Sequence, residues 1–253
     1  MDVLQLVCRE FSNNHEITVC DTAELYGEKG HFRILQFTNE AIQGAMDLAD
    51  PDRIVFEYPR AIIHLMEFNA PLLENVFVIG HGIGTIARYF SGKRFKIAEQ
   101  SEVVVKLSRK YFGYREDNVL IGDGRRILEN EASRTYDFIV LDAFTEKGTP
   151  QHLISREFFR LTREKLDSRG SIVMNLMGKG VNDPLINAIH TTLCEEYAYT
   201  RSFCLPSDHA SALKNIVIIG RNQPIGFQAR HMAGFVITEL KQGYLIMDGD
   251  SRG

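Results

Sequence analysis

The chain lacks the marks of several common protein classes. In 253 residues it has no tryptophan and four cysteines, Cys8, Cys20, Cys194 and Cys204. These lie far apart with no CxxC pair, which suits neither a zinc centre nor a disulfide framework, so reduced thiols in a cytoplasm account for them most simply. Positive charge is not in excess. The net charge of −4 leaves no global field to attract nucleic acid or an anionic membrane, while an acidic cleft for a cationic substrate stays open. No segment approaches the roughly 18 apolar residues needed to span a bilayer. The start, MDVLQLVCREF, carries Asp2, Arg9 and Glu10 in place of the basic start and long apolar run of a signal peptide. The histidines show no HExxH or other ligand spacing, and both the GxSxG elbow and the GxxxxGK[ST] loop are missing. These absences predict a cytoplasmic protein with no metal, no nucleic-acid partner and no membrane partner, and they remove the commonest hydrolase and NTPase readings.

What is present is organised around Asn75 to Gln100, NVFVIGHGIGTIARYFSGKRFKIAEQ. It reads as an apolar strand, a glycine turn (Gly80, Gly82, Gly84), a short helix and a second strand ending in Glu99. In an open α/β sheet, glycines at such a turn let the backbone approach a nucleotide, and an acid about 20 positions on meets the ribose hydroxyls.

Upstream, Ile17 to Phe37 reads as two strands around a turn at Tyr26 to Gly30, a hairpin of a small N-terminal sheet. The polar stretch that follows holds Asp50-Pro51-Asp52 as a turn or helix-opening signal, and Arg53 to Asn69 has helical spacing with Pro59 at a boundary or early position. Downstream, strand and helix alternate. Helices are expected over 101–112, 125–131, 155–166 (leaving through an Arg169-Gly170 turn) and 184–197, and strands over 118–121, 136–141, 171–176, 200–205 and 215–220. The expectation is a Rossmann-like α/β fold, a mostly parallel twisted sheet with helices on both faces. The division expected is a β-rich region with a connecting helix over residues 1–70 and a nucleotide-binding domain over 71–253. The last residues, DGDSRG, read as frayed.

Ligands of such sheets sit beyond the carboxyl ends of the strands, where Glu99, Asp123 and Asp142 follow successive strands. Glu99 can grip ribose hydroxyls or be a solvated strand end. Asp123, between Gly122 and Gly124, can accept from an exocyclic amine or simply make a turn. Asp142, after the buried strand YDFIVL, can deprotonate a nucleophile or balance a cationic centre, and a helix-capping role competes equally from position alone. His81 fills the glycine loop and is not read as catalytic.

Taken in order, VFVIGHGIGTIARYF, AEQSEVVVKLSRKYF, IGDGRRIL, YDFIVLDAF and GTPQHLISREFFRLTREKL resemble the successive motifs of the spermidine synthase family of aminopropyltransferases, as does the upstream IQGAMDLADPDRIVFEYPRAIIHL. The match covers Phe32 to Gly220. The resemblance implies a class I methyltransferase-like fold, a dimer or tetramer, and transfer of an aminopropyl group from decarboxylated S-adenosylmethionine to a small amine, without a metal. It implies that Gln43, the loop glycines, Glu99, Asp123, Gly124 and Pro150 bind the nucleotide donor, that Tyr58 and His64 line the amine site, and that Asp142 is the catalytic aspartate. Two departures stand out. The family's loop aspartate for the distal amine is replaced by Ile83, and a second aspartate three residues after Asp142 is replaced by Thr145, at a substrate-binding position. Burying a cation without its carboxylate partners is costly, so the expected acceptor is an amine other than plain putrescine. A methyltransferase using S-adenosylmethionine on the same scaffold and a non-catalytic nucleotide-binding or assembly protein are the alternatives.

Overall fold

The computed structural model describes residues 4–12, 15–37, 42–145, 148–206 and 212–249. Its first part is a four-stranded antiparallel meander of β1 (Gln5–Ser12), β2 (His15–Leu25), β3 (Glu28–Phe37) and β4 (Ile42–Asp47). The expected hairpin is β2–β3. Leu25 pairs with Glu28 across a two-residue turn in which Tyr26 and Gly27 have φ of 49° and 84°, the left-handed pair that matches strand twist in a tight hairpin. The stretch read as polar contributes β4, whose Gly44 to Asp47 are buried. Its alternation is hidden because small residues face the neighbouring elements.

Helix α1 (Glu57–Asn69) leads into a second sheet and carries Pro59 in its first turn, where its missing N–H leaves no bond unmade. The sheet alternates with helices: β5 (Asn75–Ile79), α2 (Thr85–Tyr89), β6 (Arg94–Glu99), α3 (Glu102–Tyr111), β7 (Val119–Ile121), α4 (Gly124–Glu129), β8 (Tyr136–Leu141), α5 (Arg156–Lys165), β9 (Leu166–Gly178), α6 (Pro184–Cys194), β10 (Tyr199–Cys204), β11 (Lys214–Arg221) and β12 (Val236–Ile237). Strand order is β12-β10-β11-β9-β8-β5-β6-β7. The run from β9 to β7 is parallel, while β11 is antiparallel to both neighbours. Arg169-Gly170, read as a helix exit turn, lies inside β9. There the pairing with β8 jumps from Tyr136–Leu166 to Phe138–Ser171, so the turn signal marks a bulge. Ser101, Ser155 and Asp183 cap α3, α5 and α6 with side-chain oxygens.

The inner strands are apolar on both faces, as parallel strands covered by helices must be. Val76, Val78, Phe138 and Val140 pack with Ile62, Leu65 and Met66 of α1, whereas Phe77, Ile79, Ile139 and Leu141 pack with Phe158 and Phe159 of α5 and Ile189 and Leu193 of α6. A third cluster joins the meander to the second sheet: Ile17, Val19, Leu35 and Met46 meet Ile83, Val104, Leu107 and Phe112. The end of the chain is not frayed as far as Gly249. Ile246 is buried, and Asp248 receives both Arg125 guanidinium nitrogens at 2.6 and 2.8 Å; residues 250–253 lie outside the described residues. No described helix is long and apolar enough to cross a membrane.

Candidate active site

The strand order reverses between β5 and β8, the switch point beside which open α/β sheets bind ligands. Gly80 ends β5 and Asp142 ends β8, and the Asp142 N–H donates to the Ile79 carbonyl at 2.8 Å. The two chains approach so closely that a Cβ on Gly80 would run into the Asp142 carbonyl, and Gly80 also has φ of 97°. Only glycine fits both demands. Gly82 and Gly84 also sit in left-handed conformations and, with Gln43, Tyr58, Ile83 and Asp142, line one cleft.

Asp142 is the chemical centre of that cleft. It does not cap a helix, since the next helix is capped by Ser155. Its Oδ1 accepts from Asn175 Nδ2 at 2.8 Å, and the Tyr58 hydroxyl donates to the carboxylate from α1. Burial pushes the Asp142 pKa up to about 6, against the pull of these two hydrogen bonds. Burial and the neighbouring Asp142 likewise raise Tyr58 well above its ordinary range, so it stays a neutral donor. Asn175 is 2% exposed and accepts at Oδ1 from Asn215 Nδ2 at 2.9 Å.

Glu99 is no solvated strand end. Its Oε2 accepts from the His81 N–H at 2.9 Å and its Oε1 from the Ser101 N–H at 2.8 Å, so it holds the glycine loop against the start of α3. Burial raises its pKa despite those bonds. The Gln100 N–H donates to the carboxylate as well, and a carboxylate has acceptor capacity beyond three such bonds. The His81 ring turns away from catalysis: Ser108 Oγ donates to the Val105 carbonyl and lies 2.7 Å from His81 Nε2, so His81 donates to it. Burial chiefly, and Arg109 secondarily, pushes His81 down to about 4, which keeps the ring neutral.

Asp123 both caps and contacts. Its Oδ1 accepts from the Arg126 N–H at 2.9 Å as the cap of α4, and its Oδ2 lies 2.8 Å from His152 Nε2. Burial raises its pKa, but these hydrogen bonds and the nearby positive charges bring the net result below the ordinary value. Gly124 follows because a Cβ there would press on Ile79. Pro150 opens the short turn that carries His152, and Arg125 binds that turn through the His152 carbonyl at 3.0 Å.

Two expected site residues are engaged elsewhere. His64 lies on α1, where Nε2 accepts from the Gln228 N–H at 2.8 Å and the ring meets Phe68 and His231; it lies outside the lining of the Gly80–Asp142 cleft, as do Glu99, Asp123, Gly124, Pro150 and Thr145. The Thr145 hydroxyl donates to the Gly148 carbonyl at 2.8 Å, closing a turn. Ile83 is 2% exposed and packs on Gly44, so the missing acid is replaced by a piece of the seam between the sheets. Sequence reasoning missed Asn175, Asn215, His152 and the Arg125–Asp248 pair. The signal for Asn175 was an amide inside the apolar strand SIVMNLM; Asn215 opens an ordinary-looking strand and gave none.

Comparison with known proteins places the chain in a family. The chain is 33% identical over 162 residues to a polyamine aminopropyltransferase of Vibrio vulnificus, covering 58% of this chain and 54% of that one. It is 31% identical over 128 residues to putrescine N-methyltransferase 2 of Nicotiana attenuata, covering 46% and 34%. The chain thus spans about half or less of the length of these relatives. Among solved structures, a probable spermidine synthase from Corynebacterium glutamicum superposes with a TM-score of 0.80 at 18% identity, covering 99% of this chain and 98% of that one. Human methyltransferase-like protein 13 with SAH matches at 0.53 and 16% identity, over 70% of this chain and 86% of that one. The spermine/spermidine synthase domain model matches residues 55–225, from the approach to α1 through β11, and the chain belongs to that family.

Proposed function

We propose that the protein transfers an aminopropyl group from decarboxylated S-adenosylmethionine to a small amine other than plain putrescine. The observation that carries this is Asp142, a deeply set carboxylate at the switch point, held by Tyr58 and Asn175 and shifted to about 6. Gly80, Gly82 and Gly84 bring backbone without side chains to the wall of the same cleft, the kind of surface a nucleoside approaches closely. Gln43, Glu99, Asp123, Gly124 and Pro150 bind the donor in this reading, Glu99 through its remaining lone pairs to the ribose hydroxyls.

Asp142 serves two purposes. Ionised near neutral pH, it attracts both a cationic amine and the sulfonium centre. It then takes one ammonium proton, freeing the nitrogen lone pair to attack the carbon bonded to sulfur. The new C–N bond forms as the C–S bond breaks, and the electron pair of that bond neutralises the sulfur, releasing methylthioadenosine. Ile83 and Thr145 supply no carboxylate for a second ammonium, which supports an acceptor with one cationic end. Division at residues 1–70 and 71–253, a homo-oligomer and a cytoplasmic location belong to the same proposal.

Incubation with decarboxylated or intact S-adenosylmethionine and a panel of amines, followed by product mass, tests it. Aminopropyl adducts with methylthioadenosine support the proposal. Methyl adducts with adenosylhomocysteine replace it with methyl transfer, the second reading, which the likeness to a putrescine N-methyltransferase favours. Donor binding without turnover, unaltered by Asp142→Asn, refutes both and leaves a nucleotide-binding or assembly role.

A further inference from the structure

The contacts behind Asp142 form a chain. Asn215, on β11, lies 2.9 Å through Nδ2 from Asn175 Oδ1, and Asn175, on β9, lies 2.8 Å through Nδ2 from Asp142 Oδ1. A primary amide has one accepting and one donating end. With its oxygen turned outward to accept from Asn215, Asn175 presents its N–H to the carboxylate. Turned over, it would place an oxygen against Asp142 Oδ1, an arrangement that a carboxylate tolerates only when protonated. A buried amide beside a buried carboxylate has few alternative partners, so the outer contact decides which end faces inward.

We propose that Asn215 is a positioning residue for Asp142, acting through Asn175, by fixing the amide so that an N–H donor meets the carboxylate. The inference rests on the reading of Asp142 as the base, and its consequence is measurable without a substrate. Tyr58 on α1 and Asn175 on β9 are the side chains that hydrogen-bond to Asp142, and both are uncharged near neutral pH, Tyr58 because its pKa is raised; Gln43 and the neutral His81 ring line the same cleft. Asn215 does not touch Asp142, so its loss leaves both donors, Tyr58 and Asn175, in place and acts on the carboxylate only through the orientation of the Asn175 amide.

The test is the titration midpoint of Asp142, read from the pH dependence of thermal stability in pairs of proteins with and without Asp142→Asn. In the parent, the pair should diverge from about pH 4 and the difference should level off above about pH 6, the folded-state midpoint. Asn215→Leu, which keeps the side-chain shape and removes the donor, should move the midpoint up by about one pH unit, a tenfold rise in proton affinity. Asn215→Ser, too short to hold the contact, should move it the same way, so a folding failure of one variant leaves the other to decide. A folded variant of either kind with an unchanged midpoint overturns the proposal, whatever the protein catalyses. Where turnover is found, kcat at pH 7 should fall in both variants and recover at higher pH, with the KM for donor unchanged; a rise in donor KM with an unshifted pH profile also overturns it. Failure of the transferase reading would appear instead as absent turnover in the parent, with the midpoint shift intact.

Discussion

Replacing Asp142 with asparagine should make the protein more stable while removing its activity. The folded protein binds the Asp142 proton with a pKa of about 6, against an ordinary value of 3.8, a gap of about 2 pH units worth roughly 3 kcal/mol. The sign follows from linkage. Because the folded state holds the proton more tightly, stability from this group is fully present at low pH and is lost as pH rises from about 4 through about 6. Near pH 7.5 the folded protein bears the whole penalty of a buried charge, and Asp142→Asn removes it. The amide keeps an oxygen for Asn175, and the Tyr58 hydroxyl can rotate to accept from its nitrogen. For a chain of this size 1 kcal/mol corresponds to about 2–4 °C in Tm, so the variant should melt about 6–12 °C higher near pH 7.5. Near pH 5 the parent is largely protonated as well, and the gain should fall to about half. Calorimetry of both proteins at the two pH values measures this. A variant that is no more stable near pH 7.5, or whose gain does not shrink near pH 5, refutes the account of Asp142 as a strained buried carboxylate. Stability gained with activity lost is the expected trade at a site built for charge rather than for folding.

Other perturbations separate the donor side from the acceptor side. Turnover should rise through about pH 6 as Asp142 ionises, and a log-rate profile with no inflection between about pH 5 and 7 would remove it as the base. Glu99→Ala should weaken donor binding by about 1–3 kcal/mol in calorimetry, the loss of a charge-assisted hydrogen bond; unchanged affinity contradicts the ribose contact. Ile83→Asp should not create a diamine subsite. It should destabilise the protein by more than about 3 kcal/mol in denaturant, since it removes an apolar side chain 2% exposed at the seam and buries a carboxyl there, and a stable variant would place Ile83 nearer the cleft surface than its packing shows.

How far the sequence could be read depended on how local each determinant was. Alternation of apolar strands and helices located β5 to β11 within a few residues, because both periodicities act over one element. The glycines were legible for a similar reason: Gly80, Gly82 and Gly84 answer to their own positive φ values. Strand β4 was missed because its burial comes from Ile83 and the other side of the seam, contacts that its own pattern of small residues does not announce. The bulge at Arg169-Gly170 looked like a turn because a bulge and a turn ask for the same residues. Glu99 and Asp123 were placed correctly at the strand ends, but what they hold in the folded chain, the His81 and Ser101 N–H groups and His152, lies in partners that spacing does not specify.

The two halves of the cleft follow different physical rules. On the donor side the requirement is close backbone approach, which glycine spacing records, and the carboxylates there can first serve the fold and then offer spare lone pairs to a ligand. On the acceptor side the requirement is charge balance, and there the substitutions are not neutral replacements. Ile83 has been taken into the apolar cluster that fastens the meander to α3, and Thr145 is spent on closing its own turn. In the proposed reading a diamine site would therefore need more than one acid returned: the seam behind Ile83 would have to open, and Thr145 would have to give up its bond to the Gly148 carbonyl. Asp142 is held by neutral groups, the Asn175 amide and the Tyr58 hydroxyl. In the proposed reading such a cleft favours an acceptor whose one cationic nitrogen is also its nucleophile, because Ile83 and Thr145 offer a second cation no opposite charge.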